Sequence, residues 1–370
     1  MPDFEKSEAA ENYILLQYTM ECGFYAYFQL VRCRSIKGEI KMIKTLNIKP
    51  QQGKYICTMA AVNNVFLYYG INSKEYEVYI ISDGFNTSYC DGYVAINSLK
   101  EISRSLNING LCDTVWKSTS ECRKDELITY ISNGIPIVVL INSDFLNFDS
   151  RLSKKYGFLR SFIIFGFNSD KDVFKLYDTF YFDSEQRTGV IDFEISSERL
   201  VGDASEYLII KPPVQPVRSY NLHELFAANL DRYRFGDRYE NSRYRGKNAM
   251  LHQVEIMDEV FKHNEKEAVS KACYYASNTI RFGTFMPMMG YFIDYFSEVE
   301  NGYEDLLDKL KYSNTQWNVM SNRALKITLS KRERAKREFI ENYMSAFENT
   351  NALLDETANV LSENSKNIKR

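Results

Sequence analysis

Apolar residues recur at helical spacing in CTMAAVNNVFLYYG, where Met59, Val62, Phe66 and Leu67 share a face and Gly70 supplies a stop. VAINSLKEISRSLNI predicts a second amphipathic helix, and ECRKDELITYISNG a third that stops at Gly134. The pattern then changes period. IPIVVLIN is a short apolar run rich in β-branched residues, which suits a buried strand. SFIIFGFN and DVFKLYDTF follow across a polar turn near Ser169 and Asp170, and predict an antiparallel hairpin. Helices first and a sheet afterwards is an α+β order.

A break falls at IIKPPVQPVRSYN, whose prolines 212, 213 and 216 fit neither a helix interior nor a central strand. Beyond it nearly everything is helical: LHELFAANLDRYRF, AMLHQVEIMDEVFKH, the apolar stretch around FMPMMGYFIDYF, and a long final segment. In that last segment Ile340, Phe347, Leu354 and Leu361 recur every seven residues, a packing stripe for a bundle core, with a dimerising coiled coil as the alternative. The expected organisation is an N-terminal extension over residues 1–48, an α+β domain over 49–211 and an α-helical domain over 217–370.

With 370 residues, 45% hydrophobic and 26% charged, the chain has the composition of a globular protein with a large core. Its net charge of -3 argues against a general nucleic-acid binder. Apolar runs are too short for a transmembrane helix, and the polar start, MPDFEKSEAAENY, is unlike a secretory signal. Seven cysteines (22, 33, 57, 90, 112, 122 and 273) without CxxC pairs predict reduced thiols, a cytoplasmic location and no structural zinc.

One cysteine stands out. In QQGKYICTMAAVNNVFLYYG, Cys57 opens a predicted helix, whose positive end stabilises a thiolate and lowers its pKa. Gln51, six residues earlier, carries a side-chain amide suited to holding a developing oxyanion. The competing reading is a buried cysteine that packs as a small hydrophobe.

QQGKYICTMAAVNNVFLYYG, SDGF, ISNGIPIVVLINSDFLNF and SFIIFGFNSDKDVFKLYDTF, in that order, resemble the butirosin-biosynthesis acyltransferase family. SNTIRFGTF and a following helix with Trp317 extend the likeness into the second half, so that it spans roughly residues 50 to 350. The resemblance implies a papain-like domain followed by a helical companion. It also implies acyl transfer: a carrier-protein or other thioester acylates the cysteine, and an amine takes the acyl group. On that pattern Cys57 is the nucleophile and Asp178 orients the base. No resident cofactor is implied, only the phosphopantetheine of a carrier protein as donor.

The chain departs from the family where the base should be. A histidine opens the strand corresponding to SFIIFGFN in that family, and here Arg160 and Ser161 are the candidates for the vacant position. Ile56 stands where another family histidine precedes the cysteine. All three histidines, His223, His252 and His263, lie beyond the proline-rich break. A positioned base contributes about 10²–10⁴-fold, so proteolysis is the least expected activity. Acyl transfer from an already activated thioester tolerates the loss better, and a catalytically silent binding protein is the rival. Direct pairing of Ser161 with Asp178 would put them on one face, and a one-residue shift of register would separate them.

Other candidates are weaker. Cys22, five residues after Gln17, is an alternative nucleophile. Arg234, Arg238, Arg243 and Arg245 in DRYRFGDRYENSRYRGK could grip a phosphopantetheine phosphate or an acidic carrier protein; RNA binding with tyrosine stacking is the rival reading, and internal Arg–Asp pairing on a solvated surface the plainer one. LHELF lacks the second histidine a zincin helix needs, which leaves no metal site expected.

Overall fold

The computed structural model describes residues 43–90, 92–95, 98–109, 112–142, 159–182, 188–213, 221–235, 244–298, 302–327 and 333–368. These belong to one compact unit. Arg238, Arg243, Cys22 and most of the proline-rich break lie outside the described residues.

The first region is an antiparallel sheet with helices packed around it. Its strands are β1 (Ile43–Thr45), β4 (Thr114–Ser118), β5 (Ile137–Asn142), β6 (Leu159–Asn168), β7 (Val173–Phe182), β8 (Thr188–Ser196) and β9 (Ala204–Ile210). They run in the order β4-β9-β5-β6-β7-β8, with β1 added beside β6. A small hairpin, β2 (Ser88–Cys90) with β3 (Tyr93–Ala95), stands apart. The helices are α1 (Cys57–Tyr68), α2 (Glu75–Ile81), α3 (Leu99–Ile108), α4 (Lys124–Ser132) and α5 (Ser197–Asp203). Helix α1 has residues 58–66 buried, which its near-continuous apolar and small-residue sequence allows.

The segment VAINSLKEISRSLNI is not one helix. Tyr93–Ala95 pairs as a strand, and α3 begins only at Leu99, where the Ser98 hydroxyl accepts from Glu101 N–H at 3.4 Å. A local cap and a strand partner outweigh the apolar period of the preceding residues.

The hairpin of β6 and β7 carries a feature its length does not reveal. Next to the turn, Asn168 faces Val173 and Gly166 faces Lys175, but Ile164 faces Leu176 and Ile163 faces Tyr177. Phe165 is therefore one residue extra, a β-bulge, with its ring stacked on Tyr177 at a centroid distance of 3.8 Å. Beyond the bulge every side chain of β6 faces the opposite way from the register set at the turn.

The helical region consists of α6 (Leu222–Phe235), α7 (Gly246–His263), α8 (Lys266–Asn278), a π-helical turn (Thr279–Gly283), α9 (Phe285–Glu298), α10 (Glu304–Ile327) and α11 (Glu333–Ile368). On α11 the heptad positions Phe347, Leu354 and Leu361 are buried in the core and Ile340 is half-buried against it. Trp317 is fully buried, stacked on Phe285 at 3.8 Å. Aromatic contacts bind this region to the first: Tyr79 stacks on Tyr291 at 4.4 Å and Phe85 on Phe226 at 5.4 Å. No helix among the described residues is long and apolar enough to cross a membrane.

Candidate functional site

Cys57 is the first residue of α1. The preceding Ile56 is extended and offers no side-chain cap, so the backbone N–H groups of the approach need acceptors elsewhere. They find them. Gly53 N–H donates to Thr179 O at 2.7 Å. Lys54 and Tyr55 N–H donate to the two oxygens of Glu75, at 2.8 and 3.3 Å, and Ile56 N–H points to the same carboxylate. Gly53 is required by close approach, since a Cβ there would lie 2.3 Å from Ala60 Cβ.

The helical region completes this support. Tyr291 on α9 donates its hydroxyl to Glu75. Asp294, one turn on, accepts from Lys54 Nζ at 2.7 Å and lies 3.5 Å from the Tyr55 hydroxyl. The Tyr55 ring packs edge-on to Tyr291 at 4.9 Å and lies over Gly290, where a Cβ would come within 2.5 Å of it. Burial pushes the Glu75 carboxyl above its ordinary pKa, while the donors gathered on it pull the other way.

Across from α1 lie β6 and β7. Ser161 N–H points at Cys57 Sγ at 3.4 Å, and the Ser161 and Thr58 hydroxyls are hydrogen-bonded at 2.7 Å. The strand residue that meets the sulfur is thus Ser161. Asp178 is met by its neighbour: Arg160 Nη2 donates to Asp178 Oδ2 at 2.7 Å and to Phe180 O at 2.7 Å. The other Asp178 oxygen accepts from Phe180 N–H at 2.9 Å. Both side chains are buried, Asp178 completely and Arg160 to 7% exposure.

The bulge at Phe165 explains this division. Continuing the pairing past Ile163 and Tyr177 sets Asp178 opposite Phe162, so that Asp178 shares a face with Arg160 and Ser161 takes the other. Of the two candidates for the vacant histidine position, Arg160 is therefore the one that reaches the carboxylate. A guanidinium has five donors and no acceptor, and it keeps its proton.

Electrostatics reverse the expectation for the thiol. Cys57 keeps some exposed surface, yet burial pushes its pKa above the ordinary value, outweighing Arg160, the Ser161 N–H and the Thr58 hydroxyl; Asp178 adds to the rise. Helix-end stabilisation is worth a fraction of the cost of desolvating a thiolate. Arg160 is the strongest influence in the other direction, and Asp178 takes back part of it. The resting group at neutral pH is a thiol. Burial pushes Cys112, Cys122 and Cys273 up as well, each to about 12.

Gln51 does not join this constellation through its side chain. The residue is exposed, and its backbone is clasped instead, with N–H donating to Asn64 Oδ1 at 2.6 Å and C=O accepting from Asn64 Nδ2 at 2.9 Å. Arg234 pairs with Asp355 at 2.7 Å, and Arg245 with Glu101, so these two carry internal ion pairs. His223 lies between the Tyr295 hydroxyl at 2.9 Å and Leu361 O, and His252 packs edge-on against Tyr89 and Tyr244, each at 4.7 Å. Among the described residues no histidine hydrogen-bonds Cys57. The sequence pattern does not single out Glu75, and the helix it opens, α2, is absent from the predicted elements.

Residues 39–200 match the model of the Peptidase_C39 like family. With a helix-borne cysteine set against an antiparallel sheet, the match is consistent with a papain-like domain of cysteine-peptidase type. The fold class is α+β, this papain-like domain being followed by a helical region. No curated protein matches the chain.

Proposed function

We propose that the papain-like domain binds its ligand without processing it, as a catalytically silent relative of thiol enzymes that holds a carrier protein, peptide or small molecule. The observation that carries this reading is Arg160 in the base's place, locked between Asp178 and Phe180 O. A group that accepts no proton cannot deprotonate the thiol or activate water, and the thiol is not ionised in advance. Hydrolysis of an amide, which needs both, is disfavoured most.

A second reading is favoured by the Ser161 N–H aimed at Cys57 Sγ. Here Cys57 takes an acyl group from a carrier-protein phosphopantetheine thioester or a small thioester: the new S–acyl bond forms, the donor's C–S bond breaks, and the Cys57 proton leaves with the departing thiol. An amine then takes the acyl group. Intact-protein mass spectrometry after exposure to an N-acetylcysteamine acyl thioester separates the two. The binding reading expects no adduct on the wild type, and equal binding of the thioester by wild type and Cys57→Ala. An adduct present in the wild type and absent from Cys57→Ala would replace it with the acyl-transfer reading.

A further inference from the structure

Five arginines among the described residues are buried or half-buried, and four of them face a carboxylate: Arg160 with Asp178, Arg232 with Asp83, Arg234 with Asp355 and Arg245 with Glu101. Arg281 is the exception. It lies half-buried on the π-helical turn, and its recorded partners are neutral: Nε donates to Ser321 Oγ at 2.7 Å and Nη2 to Asn322 Oδ1 at 2.6 Å. Desolvating a cation without a counter-charge is costly, so such a group marks a place where a charge is missing.

We propose that Arg281, held by Ser321 and Asn322, is a binding site for the anionic group of a ligand, a phosphate or a carboxylate. The guanidinium is held along its Nε/Nη2 edge, which leaves Nη1 and the second, end-on N–H of Nη2 with no partner among the described residues. Two parallel N–H groups at one end of a fixed fork match two oxygens of either anion. The fork is rigidly backed, since Ser321 is wholly buried and its hydroxyl meets the Ser277 hydroxyl at 2.8 Å. Burial lowers the Arg281 pKa, and no carboxylate offsets it.

The site also has a defined place in the fold. The turn is closed by Thr284 N–H to Thr279 O at 2.8 Å, an i→i+5 bond of the kind that often marks functional positions. The next residue, Phe282, meets the ring of Phe180 edge-on at 6.2 Å. Phe180 is the residue whose carbonyl helps hold Arg160. An anion at Arg281 therefore sits on the turn that packs against the strand end carrying Asp178. This site is independent of whether Cys57 is acylated.

The test is calorimetric titration of the full chain with inorganic phosphate and, separately, with acetate, at matched ionic strength in chloride. The wild type is expected to bind at least one, and the stronger of the two identifies the anion class. Arg281→Gln should weaken that binding about tenfold or more, and Arg281→Lys, which keeps the charge without the fork, should fall between. Arg337→Gln, at an exposed arginine of α11, should change nothing. If Arg281→Gln does not fold, Arg281→Lys alone decides, and affinity equal to the wild type overturns the site. Absence of binding to both anions, or an equal loss in Arg337→Gln, overturns it too.

Discussion

At the start of α1 the backbone N–H groups of residues 54–56 are gathered by Glu75, with Tyr291 bracing the carboxylate from the helical region. Across from it, on β6 and β7, the carboxylate of Asp178 is gathered by Arg160. The first arrangement fixes the backbone that leads to Cys57. The second occupies a buried carboxylate with a guanidinium, which accepts no proton. In both a buried carboxylate is met by several donors, so each stabilises the fold whether or not chemistry follows. A well-supported cysteine at a helix start is thus weak evidence of catalysis by itself; the residue that reaches Asp178 is the more telling half.

The largest effect should come from breaking the strand pair. Asp178→Asn leaves the Arg160 charge buried without a counter-charge and should cost about 3–5 kcal/mol in urea unfolding. Replacing both, Arg160→Met with Asp178→Leu, should recover most of that loss. A mild effect of Asp178→Asn alone would mean that the pair does not hold the hairpin.

Next in size is a change of chemistry. Arg160→His puts an imidazole within the reach of Asp178 and should raise Cys57 alkylation by iodoacetamide at pH 7 by about 10²-fold, the low end of what a positioned base contributes. Its rate should level off above the imidazole pKa, near 6.5. In the wild type the rate should instead climb about tenfold per pH unit through pH 9, because burial holds the thiol above its ordinary value. A wild-type plateau near neutrality would show a thiolate already formed and reverse the comparison.

On the loop side, Glu75→Ala strands two or three buried backbone donors and should cost about 1–3 kcal/mol. Glu75→Gln tests the sign of its titration. With the native pKa raised above the ordinary 4.5, the stabilising contribution is full below 4.5 and lost as pH rises through the native value. The variant should flatten stability across that window. Tyr291→Phe removes one hydroxyl and should cost about 1 kcal/mol. The smallest effect is one of order: Cys57 should be alkylated before Cys112, Cys122 and Cys273, yet more slowly than free cysteine. Faster labelling of any of those three would contradict the partial exposure of Cys57.

Much of this was legible in the chain. The apolar face ending at Gly70 gave α1 as Cys57–Tyr68, IPIVVLIN gave β5, and the two runs around Ser169 gave β6 and β7. These are local signals, a period of 3.6 or a β-branched run beside a turn, and a sequence states them directly. The lack of a histidine before the proline-rich break was legible as well, whereas the placing of His223 and His252 away from Cys57 was decided by the fold. Which of Arg160 and Ser161 reaches Asp178 was not. The turn at 169–172 taken alone would set Ser161 and Asp178 on one face, and the bulge at Phe165 reverses it. Beside that bulge Gly166 pairs with Thr45 of β1, a segment far off in the chain, and Phe165 stacks over Tyr177 of the same hairpin. The thiol's protonation was decided at the same level. Cys57 at a helix start predicts a low pKa, and burial under β6, which no local pattern records, turns the sign. Residue type and local period are written along the chain, whereas register and desolvation arise only when distant segments pack.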